Sequence, residues 1–128
     1  MNEKIEAVKK FHEAFDLGIA QKPHAHLDPE VIKLRYKLMR EENKEYLKSA
    51  KEGDIVEIAD ALGDMLYVLC GTIIEHGLQD KINGVFEEIQ KSNMSKLGSN
   101  GQPIHRKDGK VMKGPDYFEP NIAKVLKE

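Results

Sequence analysis

A chain of 128 residues with 40% hydrophobic and 33% charged side chains has the size for one domain around a single core. A formal net charge of −2 excludes the strongly basic footprint of a protein that binds nucleic-acid polymers, and the longest apolar region, 55–74, is broken by Glu57, Asp60, Gly63 and Asp64, which excludes a membrane span. The single cysteine, Cys70, rules out an internal disulfide framework and reads as a small buried hydrophobe.

Ile5, Val8, Phe11 and Phe15 recur at helical spacing and predict a helix over 3–16 that stops near Gly18. The same stretch mixes charges throughout and has no signal-peptide apolar core, so a cytoplasmic protein is expected. Residues 17–28 read as a loop. Its His24 and His26 have no third His or Cys placed to complete a zinc site, and they read as ordinary loop residues. Asp28-Pro29-Glu30 is a helix start: a cap, Pro at the first position and an acid in the first turn. The second helix is predicted over 29–50, with Val31, Leu34, Leu38, Glu42 and Glu45 as its inward stripe. Gly53 ends it and Asp54 caps a third helix, predicted over 55–76. A turn this short implies an antiparallel helix hairpin.

From Ala61 to Ile74 the third helix is apolar nearly all round, as expected in the middle of a bundle. A fourth helix is predicted over 78–96, with Ile82, Val85, Phe86 and Ile89 inward. Beyond Leu97 the chain becomes rich in Gly, Pro and charge. Asp108-Gly109, between Ile104-His105-Arg106 and Lys110-Val111-Met112, signals a hairpin turn, and 120–127 reads as a short last helix. The expected fold is all-α: a bundle of four to five helices in a single domain over 1–128, with a helical core over about 3–97 and a short C-terminal β-hairpin or irregular basic tail over about 98–128.

The chemistry concentrates at the hairpin. Glu42 and Glu45 stand three apart near the end of the second helix; Glu57 and Asp60 stand three apart near the start of the third, with Asp64 four beyond. Neighbours at i+3 and i+4 share a helix face. Side by side, the two segments bring four or five carboxylates together, and such crowding is relieved by protonation or by a divalent cation. All-oxygen ligands suit Mg²⁺, Mn²⁺ or Ca²⁺. Structural readings exist for each acid. Asp54 to Glu57 matches a capping box, and Glu41, Glu42 and Glu45 could form a solvated face with Lys44 and Lys48. A di-iron bundle wants Glu-x-x-His pairs, which ExxE and ExxD do not supply. Charge is also uneven: residues 1–80 carry a net −5 and residues 81–128 a net +3, which suits an acidic metal site with a basic segment for an anion.

ExxE followed by ExxD on a helical hairpin resembles the signature of the MazG-like all-α nucleoside triphosphate pyrophosphohydrolases. FHEAF, LMREENKEYLKSAKEGDIVEIADALGDMLYVLCGT, KSNMSKLGSNGQPI and RKDGKVMKGP are similar to the phosphoribosyl-ATP pyrophosphohydrolase-like subgroup, so the likeness covers most of the chain. It implies Mg²⁺-dependent cleavage between the α- and β-phosphates of a nucleoside triphosphate, giving monophosphate and pyrophosphate, with Mn²⁺ as a substitute. By the resemblance, Glu42, Glu45, Glu57 and Asp60 match the metal ligands, Glu42 and Glu45 being counted with Glu41 as the catalytic set. Glu41 is expected to hydrogen-bond or activate the attacking water. Asp64 stands where some relatives have an aromatic residue that stacks on the base, and is a candidate extra ligand.

Lys96, Lys110 and Lys113 are the candidate cations for the β,γ-phosphates, beside Gly109 and Gly114, which permit close backbone approach. The resemblance favours Asn93 as a substrate contact. Tyr67, one turn beyond Asp64, reads as core, with base stacking as its functional alternative. The expected partners are a nucleotide or related phosphoanhydride and, from the relatives, a second or further copies of the chain, as homodimer or homotetramer. The alternative function is a non-catalytic bundle that binds a divalent cation or nucleotide as a regulatory module.

Overall fold

Two short backbone devices organise the first half of the chain. Asp28 accepts a hydrogen bond from the Glu30 amide at 2.9 Å with Pro29 behind it, and opens a helix that runs until Gly53, which adopts a left-handed φ of 70°. Gly is the residue that takes this conformation without steric cost. Asp54 follows at once; its Oδ1 accepts from the amides of Val56 and Glu57 at 3.1 and 3.2 Å, satisfying donors that a helix start leaves unpaired. The result is the expected antiparallel helix hairpin.

The computed structural model describes residues 1–128 as five helices with no strand. They are α1 (Asn2–Ala14), α2 (Pro29–Glu52), α3 (Ile55–Glu75), α4 (Ile82–Met94) and α5 (Ile122–Lys127). The chain divides into two compact units, Met1–Asp80 and Lys81–Glu128.

In the first unit α3 is the central element, with α2 packed along one side and α1 along another. The buried stripe of α1 is Ile5, Val8 and His12. Phe11 and Phe15, which share the helical spacing of Ile5 and Val8, are 40% and 63% exposed. The stripe is rotated because His12 is the residue that finds buried polar partners. The helix ends at Ala14, ahead of Gly18, and Asp16 takes the left-handed conformation at φ 56°. The following loop is laid against the end of α3. The Ala20 amide donates to the Ile74 carbonyl at 3.1 Å, the His24 amide to the His76 carbonyl at 3.0 Å, and Gln79 Nε2 to the Ala20 carbonyl at 2.8 Å.

The central helix is not enclosed as its composition suggested. Ala61, Cys70, Gly71, Ile73 and Ile74 are buried, but Leu62, Tyr67 and Leu69 are exposed, as are Ile55 and Val56 at its start. On α2, Val31 and Leu38 are half-buried, while Leu34 lies exposed at 49%. Two neighbouring helices cover only part of an all-round apolar helix, so a large apolar surface stays open on this unit.

In the second unit α5 packs on α4, with Gly84 against Val125. The intervening segment is pinned by side chains of α4. Ser92 Oγ donates to the Phe118 carbonyl at 2.8 Å, and Glu88 Oε1 accepts from the Asn121 amide at 3.0 Å. Phe86 and Ile89, expected inward, are exposed at 69% and 40%, because the one helix that packs here has six residues and covers a narrow strip. Of the β-hairpin or irregular tail expected here, the turn forms, with Gly109 at φ 86° and Asp108 Oδ1 accepting from the Lys110 amide at 3.1 Å, but pairing stops at one antiparallel bridge, His105 to Val111, and no strand develops. Two short strands with no third are marginal in water. The fourth helix likewise starts at Ile82, not 78, after the turn at Gly77.

Candidate active site

The hairpin sets Glu42 of α2 opposite the first half of α3. Glu42 is half-buried, and its carboxyl is pushed above the ordinary range. Desolvation is the largest cause, followed by the negative charges of Asp64, Asp60, Glu45 and Glu41. Asp60 and Asp64 come from α3, whereas Glu41 and Glu45 flank Glu42 on α2. Five of the acids singled out above therefore share one electrostatic neighbourhood, and Glu42 is its centre. Glu57 lies in the exposed first turn of α3 and is not among the charges that act on Glu42. It does not close a capping box either: the Asp54 amide that it would reach donates to the Ser49 carbonyl at 3.1 Å. No group of three or more His, Cys, Asp or Glu is gathered as a metal-ligand set.

The chemistry of these donors suits a hard divalent cation. All are carboxylates, and mutual repulsion already disfavours the ionised form of Glu42. A cation among them relieves that repulsion, and oxygen donors match Mg²⁺ better than softer metals.

Tyr67, one turn past Asp64 on α3, is not core. It is 44% exposed and meets Phe11 of α1 edge-on at 5.7 Å between ring centroids, while Phe11 and Phe15 lie 4.4 Å apart. Beside this aromatic group a recess of about 220 Å³ opens between α1 and α3, with Lys4, Val8, Gly63, Tyr67 and Cys70 in its wall. The sequence reading missed Lys4 and used both Phe residues only as markers of a helix. The available signal was the Phe11/Phe15 pair at i+4, which brings two rings to one face.

A second polar group went unread. Arg35 of α2 donates from Nε to Thr72 Oγ1 at 3.0 Å and from Nη2 to the Val68 carbonyl at 2.8 Å. Burial pushes the guanidinium below its usual value and Glu75 opposes that shift. Glu75, itself buried, stands 3.8 Å from His12 Nδ1, which also lies 2.8 Å from the Gly18 carbonyl.

Asn93, Lys96, Lys110 and Lys113 all belong to the second unit. Asn93 is exposed in the last turn of α4 and Lys96 is half-buried just after it. Lys110 and Lys113 are exposed; the Lys113 ammonium sits 4.7 Å above the Tyr117 ring, and Arg106 is paired with Asp108 at 2.8 Å.

Residues 8–93 match the phosphoribosyl-ATP pyrophosphohydrolase family. That match contains the six candidate acids Glu41, Glu42, Glu45, Glu57, Asp60 and Asp64, with Tyr67 and Asn93, and ends before Lys96. A stretch of 73 residues is 36% identical to uncharacterized protein L479 of Acanthamoeba polyphaga mimivirus; it covers 57% of this chain and 29% of that protein, so the chain spans under a third of its viral relative. A crystal structure of a candidate NTP pyrophosphohydrolase from Exiguobacterium sp. 255-15 superposes with a TM-score of 0.51 at 28% identity, covering 97% of this chain and 94% of that one. The chain belongs to the phosphoribosyl-ATP pyrophosphohydrolase family, within the MazG-like all-α NTP pyrophosphohydrolases.

Proposed function

We propose that the chain hydrolyses the α–β phosphoanhydride of a nucleoside triphosphate to monophosphate and pyrophosphate, with Mg²⁺ held by Glu42, Glu45, Glu57 and Asp60 and with Asp64 as a further ligand. The observation that carries this reading is the raised carboxyl of Glu42 amid four other acids from two facing helices. When bound, the cation neutralises phosphate oxygens and acidifies water. Glu41 orients the attacking water and accepts its proton on the carboxylate, as general base catalysis requires. Water oxygen adds to one phosphorus of the anhydride, the bond to the bridging oxygen breaks, and the departing phosphate keeps that oxygen.

Tyr67, with Phe11 and Phe15, offers ring faces for the base beside the recess on α1 and α3. Asn93, Lys96, Lys110 and Lys113, the candidate donors for the base and the β,γ-phosphates, belong to the second unit. A homo-oligomer, dimer or tetramer, fits the apolar side chains left open on α2 and α3, Leu34, Ile55, Val56, Leu62 and Leu69 among them. A cytoplasmic setting goes with a nucleotide substrate.

The test is pyrophosphate release from a panel of canonical, deoxy and modified triphosphates and phosphoribosyl-ATP, with and without Mg²⁺. Wild type should release pyrophosphate from at least one of them in Mg²⁺, and Glu42→Gln or Asp60→Asn should lower the rate at least about a hundredfold. Retained activity in both variants would remove these acids from the mechanism.

A further inference from the structure

We infer that Arg35 is a positioning residue that sets the register of α2 against α3 and so holds Glu42 opposite Asp60 and Asp64. The inference rests on the cation site proposed above. Arg35 precedes Glu42 by two helical turns, about 10 Å along the axis, and Thr72 follows Asp64 by about 12 Å. In an antiparallel pair these offsets match, so a tie between Arg35 and Thr72 fixes the level at which Glu42 meets Asp64.

The tie has a defined geometry. The guanidinium is half-buried and reaches Thr72 through Nε and the Val68 carbonyl through Nη2; Thr72 Oγ1 in turn donates to the Val68 carbonyl at 3.0 Å. Three hydrogen bonds thus close one small ring of partners on α3. A planar fork makes this contact in one orientation only, and a lysine ammonium cannot reproduce it. Gly71 makes the approach possible, since a Cβ there would stand 2.5 Å from Arg35 Nη2 and 2.9 Å from His12 Nε2. Apolar packing alone holds helix register loosely, whereas a directional, partly buried contact discriminates between neighbouring registers. Crowded acids need such a device, because their repulsion pushes the helix ends apart while the cation is absent.

The experiment is calorimetric titration of Mg²⁺ into the full chain without nucleotide, for wild type, Arg35→Lys and Thr72→Val, with helicity checked by circular dichroism. Arg35→Lys keeps the charge and loses the fork; Thr72→Val keeps the shape and loses the acceptor. Folded Arg35→Lys should bind Mg²⁺ at least about tenfold more weakly, as when groups that orient ligands are removed. Thr72→Val should weaken it severalfold, and the double variant should be no worse than Arg35→Lys, because both remove one contact. A merely structural role would lower the melting temperature and leave the affinity of the folded protein unchanged. Folded variants that bind within twofold of wild type would overturn the role of Arg35 while leaving the cation site intact. A wild type that takes up no Mg²⁺ would overturn the site itself, and the register argument with it.

Discussion

Gly71→Ala and Gly63→Ala place the same methyl group on the same helix, eight residues apart, and should move stability in opposite directions. In a helix interior Ala is favoured over Gly by about 1 kcal/mol, so propensity alone stabilises both variants. At Gly63 a Cβ meets nothing within 4 Å, and that gain stands. At buried Gly71 the methyl would lie 2.5 Å from Arg35 Nη2 and 2.9 Å from His12 Nε2. Those atoms must move, at an overpacking cost of about 2 kcal/mol. Displacing the guanidinium also loses its bonds to Thr72 and Val68, about 1 kcal/mol each. The balance is roughly 3 kcal/mol of destabilisation for Gly71→Ala against up to about 1 kcal/mol of stabilisation for Gly63→Ala. For a chain of this size that corresponds to a melting temperature lower by roughly 10 °C in the first case and a few degrees higher in the second. Thermal and urea denaturation at fixed protein concentration measure both. Equal shifts of the same sign would refute the close packing of Arg35 and His12 over Gly71.

Other outcomes follow from the same geometry. Glu42 has its carboxyl raised in the folded state, so the fold is favoured by its protonated form, and stability is lost as pH rises through that raised value. Glu42→Gln should therefore raise the melting temperature of metal-free protein near neutral pH, with the gain vanishing below the ordinary Glu range; a gain independent of pH would contradict the repulsion. Mg²⁺ at about a hundred times its dissociation constant should stabilise wild type by roughly 2.7 kcal/mol and Glu42→Gln by clearly less, read from melts with and without the ion. Asp54→Ala removes the acceptor for two amides at the start of α3 and should cost about 1 kcal/mol in denaturant titration.

Local backbone chemistry was readable directly from the chain. Asp28-Pro29 and Gly53-Asp54 each specify a cap or a turn within two residues, and both helices begin and end where that chemistry places them, to within two residues. The acidic grouping was legible for the same reason: once the turn is short, i+3 and i+4 spacing brings Glu42 opposite Asp60 and Asp64. What periodicity could not supply was the identity of the neighbour. Helical spacing picked out Ile5, Val8, Phe11 and Phe15 on α1, and Ile5 and Val8 are indeed buried. The helix also turns His12 inward, where Glu75 and the Gly18 carbonyl satisfy it. No local pattern marks Arg35, since its partners are a hydroxyl and a carbonyl more than thirty residues away. The hairpin turn at Asp108-Gly109 was legible, but strand pairing depends on a third strand or a packing surface that local pattern does not encode.

The central claim is that acids from two facing helices form a cation-dependent phosphoanhydride hydrolase site. Pyrophosphate release by wild type, Glu42→Gln and Asp60→Asn, followed across a Mg²⁺ titration, tests it most directly. The account predicts turnover that rises with Mg²⁺ in wild type and is lost in both variants while their helicity is retained. Turnover that ignores Mg²⁺, or that survives both substitutions, would contradict it.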